Sequence, residues 1–406
     1  MRRFLKWLAG IVLALVVVAA VAAFVFRKEI GEYRAAFEYA GIFEPDVIDG
    51  NFRSLFVKYP SVKVAKSAAA SDLPKEERPL PESYGFAGET RTIADWIEKT
   101  QTTGLIVIKD GTVVHEQYLR GNTADTQSIA MSVSKSTVSF LVGNAVADGL
   151  IDISDPVDKY APLLAEGGYK GVSVKNVLQM SSGIAFNEDY GDLTSDIVKY
   201  IIQILTGSVN QFTAHLKNEN PQGTINRYVS ADTQVLGMVL EGATKKPLAE
   251  YFGERLWSKL GAQADAYWLV DPTGEAVAAG GLNAVLRDYA RFGLVYLNEG
   301  RNFAGEQIVP AEWVRASVTP DAPHLMAGRD DGHGGKAVGY GYQWWIPAER
   351  QGDDFTGIGI YGQFIYVNPE RKVVIAKTSA YADYNNTGDL MESETIAAFQ
   401  AIAAGL

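Results

Sequence analysis

At residues 131–136 the chain reads Met131-Ser132-Val133-Ser134-Lys135-Ser136. Apolar residues recur at helical spacing from Val133 to Leu150, so this stretch is predicted to begin a helix that carries Ser132 and Lys135 on one face. A serine hydroxyl is a poor nucleophile until a neighbour takes its proton, and a lysine can take that proton when burial lowers its pKa. The free backbone N–H groups of a helix start can also stabilise an oxyanion. The pattern therefore predicts a nucleophile, Ser132, and an activating base, Lys135.

The same stretch also has a purely structural explanation. A serine directly before an apolar helix is typical of an N-cap, in which the hydroxyl accepts a hydrogen bond from a backbone N–H of the first turn. Ser-x-x-Lys also occurs by chance, and a short motif is a hypothesis until its structural surroundings are known. Residues 131–136 alone leave the catalytic and the capping interpretations open.

Two further stretches carry residue types suited to acyl transfer. In Arg227-Tyr228-Val229-Ser230, the tyrosine can relay protons and the serine two residues on can extend its hydrogen-bond network. In Gly359-Ile360-Tyr361-Gly362-Gln363, glycines permit the close backbone approach needed if the N–H groups of Gln363 and Ser132 both donate to an oxyanion. Taken singly, a packed aromatic ring beside a helix cap and a glycine-rich strand start are the simpler explanations of these two stretches.

The order and spacing of the three stretches resemble those of the serine β-lactamase and penicillin-binding-protein superfamily. Within that superfamily the chain is similar to the class C β-lactamase-like hydrolases, the branch that contains esterases and 6-aminohexanoate-dimer hydrolase. The resemblance runs from about residue 95 to the end of the chain and includes five other stretches in the same order. These are residues 178–184, 187–190, 279–282, 287–293 and 339–345.

What the resemblance implies is a covalent acyl-enzyme route. Ser132 attacks an amide or ester carbonyl, Lys135 and Tyr228 transfer protons, and water then releases the acid. The backbone N–H groups of Ser132 and Gln363 hold the oxyanion. No cofactor or metal is implied, because the serine supplies the nucleophile and the backbone supplies the oxyanion donors. The residues expected to contact the substrate are Tyr190, Ser230, Tyr361 and Gly362.

Two departures from the family pattern bear on the substrate. The family's Tyr-x-Asn is Tyr-x-Ser here, so that Ser230 stands where an asparagine helps to place the substrate of true β-lactamases. The third motif is usually Lys-Thr-Gly, and residues 360–362 read Ile-Tyr-Gly instead. Without that lysine a main attraction for a β-lactam carboxylate is missing, so plain esters or short linear amides are the expected substrates. A cell-wall D,D-peptidase, a weak β-lactamase and a non-catalytic peptide- or cell-wall-binding descendant are the alternatives.

Composition excludes several other classes of function. The formal charge of -11 and the absence of a basic run argue against nucleic acid, which requires a concentrated basic face. The chain has no cysteine, so thiol catalysis, disulfides and thiolate metal sites are excluded. Its four histidines are widely scattered, which argues against a zinc hydrolase.

The N-terminus predicts a membrane anchor. A basic cluster within residues 2–6 precedes an apolar run from Trp7 to Phe26, and twenty helical residues span roughly 30 Å, the thickness of a bilayer core. The positive cluster favours a cytoplasmic N-terminus and a catalytic domain outside the cytoplasm. A cleaved signal peptide is the alternative because Ala20-Val21-Ala22 resembles a cleavage site, although the apolar run exceeds the usual signal length.

These patterns predict a division of the chain into three parts. They are a membrane anchor over 1–28, a connector over 29–95 that serves as stalk and wrap-around segment, and a hydrolase domain over 96–406. Residues 104–118 and 363–377 each read as a β-hairpin, while most of 150–280 reads as helices and loops. A helix is predicted from about Leu390 to Ala404. The expected fold is α+β, with one antiparallel sheet flanked by helices and a mostly helical lobe, and the active site is expected between them.

Overall fold

The computed structural model describes residues 25–329 and 336–406, together with positions 7, 12, 15 and 16. The run from Trp7 to Phe26, where the membrane anchor is predicted, lies almost entirely outside these residues. Within the described residues, no helix has both the length and the apolar character that a membrane crossing requires. The anchor therefore stays a prediction from the sequence.

Helices and strands alternate in blocks along the described chain. The α-helices are α1 (Arg27–Ile42), α2 (Ile48–Phe52), α3 (Leu55–Lys58), α4 (Ile93–Lys99), α5 (Val133–Ala147), α6 (Val157–Tyr160), α7 (Val174–Leu178), α8 (Asp196–Thr206), α9 (Val209–Ala214), α10 (Ser230–Thr244), α11 (Leu248–Phe252), α12 (Leu286–Leu297), α13 (Ala311–Ser317) and α14 (Tyr384–Gly405). The strands are β1 (Ser61–Val64), β2 (Ser83–Phe86), β3 (Glu89–Thr92), β4 (Thr102–Lys109), β5 (Thr112–Tyr118), β6 (Gln127–Ile129), β7 (Ala266–Leu269), β8 (Leu282–Val285), β9 (Gly339–Tyr340), β10 (Trp345–Ile346), β11 (Phe355–Gly359), β12 (Gln363–Asn368) and β13 (Val373–Ser379).

Seven strands form the main antiparallel sheet, in the order β5-β4-β13-β12-β11-β10-β9. Both predicted hairpins are confirmed, as β4 with β5 and as β12 with β13. The pairing of β4 with β13 joins the two ends of the hydrolase domain, with Leu105 opposite Lys377. The predicted mixture of helices and antiparallel sheet is therefore correct.

The main sheet is buried on both faces, which explains why Leu105 to Ile108 of β4 form a continuous apolar run. On one face, Leu105 and Val107 belong to a cluster with Phe399 of the C-terminal helix α14. On the other face, Ile106 and Ile108 join the larger core, which includes the inner side of α12. Gly293 lets α12 approach closely, since a Cβ there would lie 2.6 Å from Val374 Cγ1. The sheet is thus a rigid platform between two helical layers.

The helical lobe, α6 to α11, lies beside a second sheet that the sequence did not indicate. Its four strands have the order β1-β7-β8-β6, and its outer strand β1 comes from the segment before the hydrolase domain. Within the lobe, α10 packs against α5, the helix predicted to carry the base. The main sheet and the lobe therefore meet at the start of α5.

Residues 29–95 wrap around the domain along much of their length. Helix α1 packs against α8 of the lobe, and β1 pairs with β7 from Ser61 opposite Leu269 to Val64 opposite Ala266. Ring contacts continue this packing, because Phe43 stacks on Tyr361 with 4.4 Å between ring centroids. The connector predicted over 29–95 thus begins within a helix, α1, that is part of the packed structure.

Candidate active site

Ser132 immediately precedes α5, and its hydroxyl faces the predicted base. Lys135 Nζ lies 2.9 Å from Ser132 Oγ, within hydrogen-bond distance. The serine side chain makes no capping hydrogen bond to the helix, so the capping interpretation is wrong. Met131, the residue before it, has a φ of +46°, a left-handed conformation that is uncommon for a side chain of this kind. Strained backbone of this type is frequent at functional sites.

Lys135 is held inside the protein, with only 2% of its surface exposed. Its Nζ also donates to the carbonyl oxygen of Ala279 at 2.7 Å. Burial lowers the pKa of Lys135 to about 8, against an opposing contribution from the Glu188 carboxylate. Gly281 in the same 279–282 stretch is closely packed, since a Cβ there would lie 2.8 Å from Val277 O. This stretch therefore supplies a second acceptor that fixes the lysine.

Tyr228 lies on the other side of the nucleophile. The ring lines the cavity that contains Ser132, and Lys135 Nζ lies 5.2 Å from the centre of the ring. The ring stacks on Trp345 with 5.3 Å between centroids and 23° between planes. Burial, followed by the nearby Glu188 charge, raises the pKa of Tyr228 well above its usual value, so its hydroxyl stays protonated at neutral pH. The structure thus brings Ser132, Lys135 and Tyr228 together.

Glu188 is the site residue that the sequence reasoning missed. Its Oε1 accepts hydrogen bonds from Ser230 Oγ at 2.5 Å and from Tyr190 OH at 2.9 Å. Its Oε2 accepts from the backbone N–H of Ser230 at 2.9 Å. Burial raises the pKa of Glu188, while Lys135 and these hydrogen bonds oppose the rise. Ser230 and Tyr190, both predicted to contact substrate, therefore hold the Glu188 carboxyl group close to Lys135.

The glycine-bearing stretch at 359–363 is arranged differently from the prediction. Ile360 lines the cavity that contains Ser132, and Tyr361, Gly362 and Gln363 are not among the described residues of that lining. Tyr361 has a φ of +63°, which directs its ring into the packing against Phe43. The Gln363 side chain donates to Ser379 O at 2.8 Å. The substrate contacts of Tyr361 and Gly362 and the oxyanion role of Gln363 stay predictions, and Ile360 is the residue of this stretch that lines the cavity with Ser132.

Two cavities meet at Ser132. The outer cavity, about 610 Å³, is lined by Tyr228, Trp345, Ile358, residues 188–191 and residues 384–390 with Glu392. The inner cavity, about 130 Å³, is almost entirely apolar and lies between α1, α8 and the start of α5. Tyr190 and Ile360 line both. Lys135 is the only cationic side chain among the described residues that line either cavity.

No grouping of three or more histidine, aspartate or glutamate side chains suited to a metal ion is present among the described residues. The site consists instead of a hydroxyl, an amine, a phenol and a carboxylate.

Residues 90–394 match the family described as Beta-lactamase. The chain belongs to this family. Its sequence is 32% identical over 295 residues to 6-aminohexanoate-dimer hydrolase of Paenarthrobacter ureafaciens, which covers 71% of this chain and 74% of that protein. The branch of the β-lactamase family predicted from the sequence is thereby confirmed.

Solved structures show the same fold. A Bacillus anthracis protein assigned as a candidate 6-aminohexanoate-dimer hydrolase superposes with a TM-score of 0.79 at 22% identity, covering 89% of this chain and 95% of that one. EstCE1, a hydrolase with promiscuous acyltransferase activity, superposes with a TM-score of 0.62 at 14% identity, covering 76% of this chain and 96% of that one. Family and fold together mark the chain as a hydrolase of the serine β-lactamase type.

Proposed function

We propose that the protein hydrolyses amide or ester bonds through an acyl-enzyme on Ser132. The observation that carries this proposal is the 2.9 Å contact between Ser132 Oγ and the buried Nζ of Lys135. A lysine whose pKa is lowered to about 8 is partly neutral at physiological pH, and only the neutral amine can accept the serine proton. The geometry thus supplies a nucleophile and a base in contact.

In the acylation step, Ser132 Oγ attacks the carbonyl carbon as its proton passes to Lys135 Nζ. The tetrahedral oxyanion is then held by the backbone N–H of Ser132 at the helix start and by that of Ile360 across the cavity. We assign the second donor to Ile360 rather than to Gln363 because Ile360 lines the cavity with Ser132.

Tyr228 is proposed as the proton donor to the leaving group. Its side chain lines the same cavity as Ser132, and its hydroxyl keeps its proton at neutral pH because burial raises its pKa. When the carbonyl carbon releases the alcohol or amine, the phenol can protonate it and recover a proton from Lys135. Water then attacks the acyl-enzyme with the same groups acting in reverse, as microscopic reversibility requires.

Plain esters and linear amides fit the site better than penicillins. A penicillin carboxylate needs a cation, and Lys135 is the only cationic side chain in the described lining of the two cavities. Its Nζ already contacts Ser132 Oγ and donates to Ala279 O. The outer cavity carries the carboxyl groups of Glu188, Asp189, Asp389 and Glu392 instead. Negative groups at this position disfavour an anionic substrate and accommodate a neutral or amine-bearing one.

The alternatives are a cell-wall D,D-peptidase or weak β-lactamase, and a non-catalytic descendant that only binds a peptide or cell-wall fragment. The last is opposed by the Ser132–Lys135 contact, which a binding module does not need. The test uses the full chain with a p-nitrophenyl ester, a linear amide dimer and a penicillin, each compared with Ser132→Ala.

We expect turnover of the ester or the amide, weak or absent turnover of the penicillin, and a loss of at least roughly a thousandfold in Ser132→Ala. Hydrolysis of the penicillin alone would contradict the argument from the missing cation. If the wild type turns over none of the substrates and a fluorophosphonate does not label Ser132, the binding interpretation replaces the catalytic one.

A further inference from the structure

The inner cavity is built partly by chain that precedes the family match at residue 90. Tyr39, Ile42 and Phe43 of α1 line one side, and Leu55 and Tyr59 of the following segment extend it. The first 89 residues therefore contribute to the wall of a cavity that leads directly to the nucleophile.

The opposite wall is one face of α8. Ile197, Ile201, Ile204 and Leu205 follow one another at helical spacing and line the cavity. Ile201, Ile204 and Leu205 are only half-buried although they lie between two packed elements. An apolar stripe that remains partly uncovered beside a nucleophile is suited to an apolar ligand.

Three of the four tyrosines that line the inner cavity use their hydroxyls within the protein, whereas the buried hydroxyl of the fourth, Tyr39, has no hydrogen-bond partner among the described residues. Tyr59 OH donates to Glu38 at 2.8 Å, Tyr190 OH to Glu188 at 2.9 Å and Tyr200 OH to Gln234 at 2.8 Å. These three hydroxyls are engaged with protein partners, so their rings present carbon atoms to the cavity. A polar or charged substrate group would find few partners there, and burying it would be unfavourable.

We infer that the inner cavity holds the acyl chain of the substrate, and that this chain is an unbranched aliphatic group of about four to six carbons. The inference rests on the proposed function, because it takes Ser132 as the atom that the acyl group is bonded to. Size supports it: the volume of about 130 Å³ is close to that of an engineered apolar cavity of about 150 Å³ that holds benzene.

The positions of Tyr228 and Lys135 indicate which cavity holds the leaving group of the substrate and which holds its acyl chain. Tyr228, the proposed donor to the leaving group, lines the outer cavity, whereas Lys135 lines the inner one. The leaving group therefore lies in the outer cavity, and the acyl chain occupies the inner cavity on the other side of Ser132. Segment 39–59 thus selects the acyl chain.

The test is a series of p-nitrophenyl esters with acetyl, butyryl, hexanoyl, octanoyl and decanoyl groups, hydrolysed by the full chain. With the leaving group constant, kcat/KM should rise by about fourfold per methylene as each one is buried, and should stop rising near hexanoyl. Ile201→Trp fills the cavity and should lower kcat/KM for the hexanoyl ester at least tenfold, while the acetyl ester changes less than threefold.

Ile30→Trp is the matched control, since Ile30 lies on the exposed side of α1 and outside the lining. It should leave the whole chain-length profile as in the wild type. Leu205→Phe is a milder filling variant and takes the place of Ile201→Trp if that variant does not fold.

The outcomes separate the two proposals. A flat chain-length profile in an active wild type, or an equal loss for all esters in the filling variants, overturns the acyl-chain assignment and leaves the serine hydrolase intact. Inertness towards every ester combined with no fluorophosphonate labelling overturns the proposed function, and the acyl-chain assignment with it.

Discussion

The charge of Glu188 should set the pH range in which Ser132 is reactive. A lysine with the ordinary pKa of 10.5 is neutral at pH 7 in roughly 1 molecule of 3000, and one with a pKa of about 8 in roughly 1 of 10. Burial of Lys135 thus raises the reactive fraction on the order of 300-fold. Glu188 works against this gain, because its carboxylate stabilises the protonated amine.

Glu188→Gln removes that charge and keeps an oxygen that can accept from Ser230 Oγ and Tyr190 OH. Without the carboxylate, the pKa of Lys135 should fall by roughly one unit, the lower end of the effect of a nearby opposite charge. Because the neutral amine is the base, reactivity rises as pH rises through this pKa. In a plot of reactivity against pH, the rise on the acid side should therefore have its midpoint near pH 8 for the wild type and at a lower pH for Glu188→Gln.

The rate of fluorophosphonate labelling between pH 5.5 and 9.5 measures this limb without depending on the natural substrate. Asp189→Asn is the matched control, since Asp189 is the adjacent acidic residue of the same loop. The pKa of Lys135 is set by burial and by Glu188, not by Asp189. The reasoning is refuted if the limb of Glu188→Gln stays at the wild-type position or moves to higher pH. It is also refuted if Asp189→Asn moves the limb as far as Glu188→Gln does.

Two other variants test separate features of the chain. Tyr228→Phe should lower kcat by roughly 10²–10⁴-fold, because it removes the hydroxyl that transfers the proton. Its melting temperature should stay near that of the wild type, because the ring still stacks on Trp345. A Tyr228→Phe variant with wild-type kcat would exclude the proposed proton transfer. Burial lowers the pKa of Lys377 to about 7. Between pH 7 and about pH 10.5, this lysine is therefore neutral in the folded chain and protonated in the unfolded chain. The free energy of unfolding should fall as the pH is lowered through this range, because the unfolded chain binds the extra proton. Lys377→Met should therefore raise the free energy of unfolding more at pH 7 than at pH 10 in denaturant titrations, and an equal gain at both would argue against a neutral buried lysine.

The sequence predicted those features of the chain that short-range periodicity determines. The hairpins around residues 110 and 370 were readable because alternating apolar residues flank a turn, and α5 because its apolar residues recur at helical spacing. The pair of Ser132 and Lys135 was predictable for the same reason, since a separation of three residues places both side chains on one helical face. The C-terminal helix begins at Tyr384 rather than near Leu390, because a kink at Thr387 joins two helical pieces.

Other features depend on contacts between distant parts of the chain and have no local signature. Glu188 reaches Ser230 across 42 residues of sequence, and nothing in the 187–190 stretch distinguishes it from the neighbouring Asp189. The left-handed φ of Tyr361 and the stacking of its ring on Phe43, more than 300 residues away in the sequence, are a second example. The packing of residues 29–95 likewise depends on apolar side chains among many prolines and charges, a composition that favoured a stalk.

Ser230 connects the departure from the family pattern to the electrostatics of the base. A serine at this position is short enough for the Glu188 carboxylate to bond both its hydroxyl and its backbone N–H, at 2.5 and 2.9 Å. The carboxylate held in this way acts on Lys135 and Tyr228 together, raising the pKa of both. The residue that departs from the Tyr-x-Asn pattern therefore holds the carboxylate that contributes to the pKa of both Lys135 and Tyr228.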